Sequence, residues 1–337
     1  MPPVLPLITA PRAAFLRRWM LASAAVVVLT LVIGGTTRLT ESGLSITEWK
    51  PVSGVLPPLT REAWDAAFAA YQQIPEAQTV HRGITLEAFK SLFWWEWAHR
   101  IVARLAGLVM ALPFLWLLVR RQLPEGWSTR LGALPVLTLA QGALGWYMVS
   151  SGLSQRTDVS QYRLVAHLGL ALVIYAIAIW TWLDLRPGPR GDRLNRMGAV
   201  VAALAGVTIL SGGFVAGLDA GHIFNTFPLM GDGLVPPGYA QLTPAWRNWF
   251  ENAAAVQFNH RVLATVTLLA AIVAWWRSRA PGGTAMGLAA LAQVALGITT
   301  LLMQVPIPIA ALHQLGAVGL LTAALWAAHP ATRQSSR

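Results

Sequence analysis

Four histidines are the residues of this chain whose type and placement point most directly to chemistry. The chain has seven histidines, and four of them fall within long apolar segments: His99, His167, His260 and His313. Ionisable side chains inside a membrane are costly and usually functional. Imidazole suits iron, and two imidazoles facing each other across a helical bundle bind both axial positions of a haem. The sequence therefore predicts two haem sites, one on each pair.

Other interpretations of these histidines are open. A single intramembrane histidine is more often a buried polar residue whose hydrogen bonds a neighbour satisfies. Zinc and copper sites need three or four clustered ligands. No carboxylate set accompanies each pair, and the chain has no cysteine. Two pairs at matched positions therefore favour haem. We expect His81 and His222 in surface loops, and His329 at the inner end of the last span.

An arginine follows the first histidine of each pair. Arg100 follows His99, and Arg261 follows His260. A buried guanidinium needs an anionic partner, and haem propionates provide a bidentate one. We therefore predict that Arg100 and Arg261 bind propionates. The alternatives are that they extend to the lipid headgroups or pair with acidic residues.

The two pairs differ at the position three residues before the first histidine. Glu96 precedes His99 on the same helix face, whereas the matching residue before His260 is Gln257, which cannot ionise. A carboxylate near an oxidised carbon can act as a base, position water or stabilise positive charge. This difference predicts that the first site does the chemistry, with Glu96 as the catalytic residue, and that the second holds a permanent cofactor. The simpler alternative is a hydrogen bond within the site or a salt bridge to Arg100.

Membrane-spanning helices must position these residues. Hydrophobic residues make up 55% of the chain and charged residues 12%, with a mean hydropathy of +0.53. Soluble domains carry about 25% charge, so the composition excludes a soluble protein. The net charge of +11 is better explained by membrane topology than by nucleic acid, and no nucleic-acid partner is expected. We predict spans at about 18–36, 97–119, 131–150, 164–183, 197–216, 254–276, 285–304 and 310–328.

The distribution of Lys and Arg predicts the orientation. With a cytoplasmic N-terminus, the inner segments hold 14 of the 25 Lys and Arg residues, the much longer outer segments hold 8, and the spans hold 3. Lys and Arg are enriched in short cytoplasmic loops, so both termini are predicted to be cytoplasmic. Each of the four histidines then lies within about the first two turns of a span that runs inward. The haem sites are therefore expected near the outer face.

The two halves of the chain resemble each other. Five motifs recur in the same order, and three of these pairs are GGTTRL and GGFVAGL from 34 and 212, AHRIVARLAGLV and NHRVLATVTLL from 98 and 259, and AQGALGW and AQVALGI from 140 and 292. This order indicates an internal duplication with four spans in each unit. We predict an all-α membrane protein with eight transmembrane helices in two tandem four-helix bundles, related by a pseudo-twofold axis along the membrane normal. The bundles are assigned to residues 1–190 and 191–337.

A short helix is predicted in the first long outer loop. Thr60 can cap it, and Trp64, Phe68 and Tyr71 then share one apolar face. That face is expected on the membrane surface or over the mouth of the bundle. An ordinary packed loop helix is the alternative.

The residues considered so far are similar to those of the haem A synthase family. The resemblance runs through nearly the whole chain and is carried by GGTTRLTESGLSITEWKPVSGVLPPL (34–59), EWAHR (96–100), HIFNTFPLM (222–230), FNHR (258–261) and ALHQ (311–314). It implies an oxidoreductase acting on a CH group, which converts haem O to haem A by oxidising a ring methyl to a formyl group through an alcohol. It also implies haem b on His260 and His313, the substrate haem O on His99 and His167, and Glu96 as the family's important carboxylate.

The resemblance also implies a location and partners. Such a protein lies in the bacterial inner membrane, receives haem O from haem O synthase, uses an unidentified electron-transfer partner and serves cytochrome oxidase assembly together with assembly factors. A homo-oligomer is left open. Some members carry a cysteine pair in the first outer loop, which this chain lacks. Two other classes stay open: a bis-histidine dihaem electron carrier or quinone reductase, and a haem transporter or chaperone.

Overall fold

The structure, a computed structural model, describes residues 9–50, 53–153, 156–187 and 194–330. Within these ranges every regular element is a helix, and eight helices are long and apolar enough to cross a membrane. They are α1 (Ala10–Leu39), α4 (Leu86–Val119), α5 (Ser128–Val149), α6 (Gln161–Asp184), α7 (Arg196–Gly217), α9 (Ala253–Arg277), α10 (Pro281–Leu302) and α11 (Ile307–Ala328). The shorter α-helices are α2 (Arg61–Tyr71), α3 (Pro75–Thr79) and α8 (Asn248–Glu251). The prediction of an all-α membrane protein with eight spans is confirmed.

The main differences from the predicted spans are the starts of α1 and α4. α1 begins at Ala10 with Pro11 in its first turn, where the N–H that proline lacks is not needed. α4 begins at Leu86, because the hydroxyl of Thr85 caps the helix by accepting a hydrogen bond from the backbone N–H of Ala88 at 3.3 Å. His99 therefore lies well beyond the second turn of its helix, and its place within the first two turns of the membrane-spanning part stays a prediction.

Each half of the chain packs as a closed ring of four helices. In the first ring, α1 contacts α4, α4 contacts α5, α5 contacts α6, and α6 contacts α1. In the second ring, α7, α9, α10 and α11 contact one another in the same cyclic order. The two rings meet where α6 contacts α7 and α1 contacts α11, and one buried apolar core runs through both. The pseudo-twofold axis stays a prediction, and the predicted boundary between residues 190 and 191 lies outside the described residues.

Glycines allow the two rings to approach closely. A Cβ on Gly35 of α1 would collide with Oε1 of Gln314 on α11, and a Cβ on Gly213 of α7 would lie 3.0 Å from a methyl of Val165 on α6. Both glycines are the second residue of a GG pair, one in each repeat. The same motif therefore forms the contact between the rings from both sides.

The short helix α2 packs against the early turns of α4. The hydroxyl of Thr60 accepts a hydrogen bond from Ala63 N at 3.2 Å, as the capping prediction requires. The ring centroids of Trp64 and Phe93 are 4.9 Å apart, and those of Tyr71 and Phe89 are 5.0 Å apart. These contacts pack the apolar face against α4, with Tyr71 fully buried and Trp64 and Phe68 partly buried, and the relation of α2 to the membrane surface stays a prediction.

Arg38 ties the connections between helices together at one end of the molecule. This end, called the long-loop end, holds the connection from α1 to α4 and the connection from α7 to α9. Arg38 Nη1 lies 2.9 Å from Asp158 in the first half, and Nη2 lies 2.6 Å from Asp219 in the second. One guanidinium thus links the loops of both rings. The side of the membrane on which this end lies stays a prediction.

Candidate functional site

The structure brings the two members of each histidine pair together within one ring. His99 lies on α4 and His167 on α6 of the first ring, and His260 lies on α9 and His313 on α11 of the second. In the cyclic order of each ring, the two histidine-bearing helices are separated by one helix on either side, so they lie across the bundle from each other. Each pair therefore faces the interior of its own four-helix bundle.

Every one of these histidine rings packs against a glycine on the preceding span. The four contacts are Gly34 with His99, Gly145 with His167, Gly212 with His260 and Gly297 with His313. A Cβ at these glycines would lie 2.9 to 3.2 Å from the nearest ring atom. In a close-packed interior, even one added methyl group would therefore displace the ring.

Sequence reasoning missed these four glycines as part of the site. The two GG pairs and the two ALG segments were used only as landmarks of the duplication. Their recurrence in both halves, each on the span just before a histidine span, is the pattern that points to them. Small residues are also common where membrane helices pack closely, so composition alone does not single them out.

Both histidines of the second ring have a hydrogen-bonding partner at Nδ1. Ser211 Oγ lies 2.7 Å from Nδ1 of His260, and Gln293 Nε2 lies 3.1 Å from Nδ1 of His313. In the first ring, Nδ1 of His167 is buried and has no partner among the described residues. An imidazole that ligates iron through Nε2 carries its proton on Nδ1 and is oriented by an acceptor there. The Ser211 hydroxyl can accept that proton, whereas the Gln293 NH2 group only donates, so the arrangement for ligation is complete at His260.

Arg100 and Arg261 hold the long loops against the spans in matching ways. Arg100 Nη2 donates to the carbonyl of Ile46 at 2.7 Å, and Arg261 Nη2 donates to the carbonyl of Phe224 at 2.8 Å. Ile46 and Phe224 occupy equivalent positions after the two GG motifs. The two arginines therefore anchor the same part of each repeat beside a histidine pair.

Both carboxylate oxygens of Glu96 are occupied by hydrogen-bond donors. Oε2 accepts from Ser45 Oγ at 2.8 Å and from the backbone N–H of Ile46 at 2.7 Å. Oε1 accepts from Arg100 Nη2 at 2.6 Å and from Nε at 3.0 Å. Glu96 is only 2% exposed. The salt bridge that the sequence left as an alternative is therefore formed, and it joins two of the predicted site residues.

The second ring lacks this carboxylate, and Arg261 is left incompletely paired. Gln257 Nε2 donates to the carbonyl of Phe224 at 3.2 Å. Within the described residues, Oε1 of Gln257 and Nε of Arg261 are both buried without a partner. A buried donor left unsatisfied costs about 1–3 kcal/mol. A free guanidinium N–H beside a histidine pair is an arrangement that a propionate would complete.

The donor set fits haem better than an isolated metal ion. In the ranges that the structure describes, no three His, Cys, Asp or Glu side chains cluster as ligands of one ion. Each ring instead supplies two imidazoles with close-packed glycine behind them and buried polar atoms that lack partners. Two opposed imidazoles are the axial ligands that haem iron takes from a bundle.

The remaining histidines lie apart from the two pairs. Nδ1 of His81 is 2.6 Å from the hydroxyl of Tyr71 in the first long connection. His222 ends a short 3-10 turn in the second long connection. His329 follows α11 at the opposite end of the molecule, where Nε2 lies 2.9 Å from Asp184.

Comparison with known proteins gives a consistent result. A sequence model of the COX15-CtaA family, described as cytochrome oxidase assembly protein, matches residues 17–325. A protein of Parvibaculum lavamentivorans named heme A synthase is 47% identical over 318 residues, which cover 92% of each chain. One of Rhodospirillum centenum with the same name is 49% identical over 333 residues, covering 95% of this chain and 88% of that one. One of Nitrosospira multiformis is 43% identical over 331 residues, covering 94% and 93%.

Proposed function

Because the chain belongs to the COX15-CtaA family of cytochrome oxidase assembly proteins, we propose that it is an enzyme that converts haem O to haem A. Similarity to proteins named heme A synthase over more than nine-tenths of the chain supports this proposal. The structural observation that carries it is the presence of two opposed histidine pairs, one inside each ring of spans. Two sites allow one haem to be modified while the other transfers electrons.

The reaction is an oxidation at a C–H group. A ring methyl of haem O loses electrons and protons, gains one oxygen atom and passes through an alcohol to a formyl group. With water as the oxygen source the electrons go to an electron-transfer partner, and with dioxygen that partner supplies electrons. In either case the enzyme is an oxidoreductase that depends on such a partner. A bundle interior closed to water limits side reactions of the partly oxidised carbon.

The first ring is proposed to bind the substrate. His99 and His167 hold the iron of haem O, and the farnesyl tail lies along the apolar spans. Both oxygens of Glu96 already accept hydrogen bonds, so Glu96 acts through its charge and not as a mobile base. A fixed negative charge stabilises positive charge that develops at the reacting carbon.

Arg100 has two roles in the substrate site. It orients Glu96, and it keeps the loop at Ile46 closed over the site. Of its N–H groups, all but one are used in these bonds and in a bond to the carbonyl of Glu48. The remaining N–H is available to a propionate of the substrate.

The second ring is proposed to hold haem b on His260 and His313. When bound, this haem supplies a one-electron relay between the substrate site and the partner. Arg261 binds a propionate through its unpaired Nε–H. The Ser211 hydroxyl orients the imidazole of His260 by accepting its Nδ1–H, and Gln293 Nε2 donates to the backbone carbonyl of His313.

We place the protein in the bacterial inner membrane, with both termini cytoplasmic and the haem sites toward the periplasmic face. The excess of Lys and Arg in the short inner segments supports this orientation. Haem O synthase is the proposed substrate donor, and cytochrome oxidase assembly factors are the proposed recipients of the product.

Extraction of haems from cells tests this function. Cells that make haem O but lack their own haem A synthase are grown with the protein, without it, and with the His99→Ala variant. The extracts are separated by chromatography and identified by mass. We expect haem A only with the unaltered protein. Haem O recovered unchanged would favour a transporter or chaperone, and two b-type haems with no haem A would favour an electron carrier.

A further inference from the structure

The first histidine of each pair is turned differently toward the helix that carries its glycine. A Cβ on Gly212 would lie nearest to Cε1 of His260, at 3.2 Å, with Nε2 at 3.9 Å. A Cβ on Gly34 would instead lie nearest to Nε2 of His99, at 2.9 Å. The Nε2 atom of His99 therefore points at the backbone of α1, whereas that of His260 is turned further away from α7.

The residue just before each glycine also differs between the two repeats. Ser211 precedes Gly212, and its hydroxyl lies 2.7 Å from Nδ1 of His260. Ile33 precedes Gly34 at the matching position of the first repeat, and its side chain has no hydrogen-bonding atom. The hydroxyl holds Nδ1 of His260 beside α7. His99 receives no such constraint from Ile33.

The second histidines, His167 and His313, both present Cε1 to their glycine and differ in the contact at Nδ1. Gln293 Nε2 contacts both the carbonyl of His313, at 2.9 Å, and its Nδ1, at 3.1 Å. Gln141 occupies the matching position of the first repeat and donates to the carbonyl of His167 at 3.0 Å, but Nδ1 of His167 is unpaired among the described residues. Among the described residues, both contacts to Nδ1 within the two pairs thus fall in the second ring, and the Ser211 hydroxyl is the one that can accept the Nδ1–H of a ligating imidazole.

We propose that Ser211 is a positioning residue that holds His260 ready to bind iron, and that Ile33 leaves His99 free to turn, so that the second ring retains its haem while the first exchanges it. This inference rests on the proposed function, in which the first ring takes in substrate and releases product. A ligand that must rotate before it binds gives weaker binding than a preorganised one. An exchangeable site needs that weaker binding, and a resident cofactor needs the opposite.

The expected effect is measurable as a rate of haem loss. Removal of a hydrogen bond to a ligating histidine typically costs about 10- to 100-fold in affinity for the metal. In the purified protein, Ser211→Ala should therefore release haem b to an excess of apomyoglobin about 10- to 100-fold faster than the unaltered protein. Its haem b midpoint potential should also shift. Ser211→Thr keeps the hydroxyl and should restore both properties.

A matched control and a reciprocal variant complete the experiment. Ser23 is also buried in a spanning helix, but its hydroxyl has no partner in the described part of the chain, so Ser23→Ala should leave haem release unchanged. Ile33→Ser adds a hydroxyl beside His99 and should increase the amount of haem A that copurifies with the protein. Equal haem release from Ser211→Ala and the unaltered protein would overturn the proposal, as would no change in copurified haem A with Ile33→Ser. Failure of the proposed function is a separate result, namely no haem A made by the unaltered protein.

Discussion

Nη2 of Arg100 lies 2.6 Å from Oε1 of Glu96, one helical turn away on α4. The same guanidinium also donates to the carbonyl of Ile46, whose N–H donates to the other oxygen of Glu96. These bonds form a closed network between the span and the loop above it. A change at Glu96 or Arg100 therefore alters both the charge near His99 and the position of the loop.

The first prediction concerns the charge of Glu96. Both carboxylate oxygens of Glu96 accept hydrogen bonds, and Glu96→Gln replaces one of them with an NH2 group that cannot accept. At least one hydrogen bond is therefore lost, and Arg100 loses its anionic partner. We expect haem A formation to fall about a hundredfold, because a positioned charge is worth that much in a water-excluded site. The measurement is haem A per molecule of protein in extracted haems.

Glu87→Gln is the matched control for this variant. Glu87 lies in the first turn of the same helix, and its exposed side chain pairs with Lys90. Its substitution should leave haem A formation unchanged. Haem A made at the normal rate by Glu96→Gln would show that the charge has no part in the reaction.

The second prediction concerns the resident haem. The double variant His260→Ala with His313→Ala removes both imidazoles of the second ring, so the purified protein should lose its b-type absorption. His222→Ala, in the second long connection, removes a histidine outside the pairs and should keep it. Full retention of haem b by the double variant would mean that the cofactor is held elsewhere.

The third prediction concerns the glycines behind the histidines. Gly145→Ala places a Cβ 3.0 Å from Cε1 of His167, whereas Gly142→Ala, three residues earlier on α5, meets nothing within 4 Å. Overpacking of this kind costs about 1–3 kcal/mol, so Gly145→Ala should weaken haem binding by the first ring. Gly212→Ala and its control Gly206→Ala, both on α7, test the second ring in the same way.

Haem stoichiometry and thermal unfolding in detergent measure these effects. The two control variants should bind haem normally and be as stable as the unaltered protein, because alanine is also the better helix former. If Gly145→Ala and Gly142→Ala behave alike, the close contact between glycine and histidine has no influence on the site.

The fourth prediction concerns pH and the long-loop end. Burial raises the pKa of Glu76 to about 8, although a hydrogen bond from the hydroxyl of Tyr71 at 2.9 Å opposes the shift. The pKa of the folded state is thus above that of the unfolded chain. The stabilising contribution of Glu76 is fully present below the unfolded value of 4.5 and is lost as the pH rises through about 8. The slope is at most about 1.4 kcal/mol per pH unit.

Hydrogen exchange over residues 61–84 checks this prediction. After correction for the intrinsic pH dependence of exchange, protection should fall between pH 5 and pH 9. Glu76→Gln removes the titrating group and should flatten the profile, with greater protection than the unaltered protein at high pH. Parallel profiles for the two proteins would rule out Glu76 as the cause.

The spans were predictable because hydropathy and length dominate membrane insertion. The start of α4 was not, since its early turns carry Phe89 and Phe93, which pack against α2 and not against lipid. A window of apolar residues detects the part of a helix that faces hydrocarbon. It does not detect the part that a loop covers, and so the predicted span begins about three turns after the start of the helix.

The candidate site was predictable by residue type but not by contact. Histidines, arginines and a lone glutamate stand out in apolar segments, and their roles as haem ligands, propionate partners and catalytic residue stay predictions. The pairing of Arg100 with Glu96 appeared only as an alternative. The contact between Ser211 and His260 depends on how α7 and α9 are rotated about their axes, and that rotation is set by packing across the whole ring.

The side-chain amide of Gln314 packs against Gly35. Each of these two residues is next in the chain to a residue of one of the two sites. His313 precedes Gln314, and Gly34, which backs the ring of His99, precedes Gly35. A rotation of α11 when haem binds in the second ring would therefore move the part of α1 that lies beside His99 in the first. The two halves contact each other at this point. Loss of haem b from the second ring should therefore also weaken substrate binding in the first.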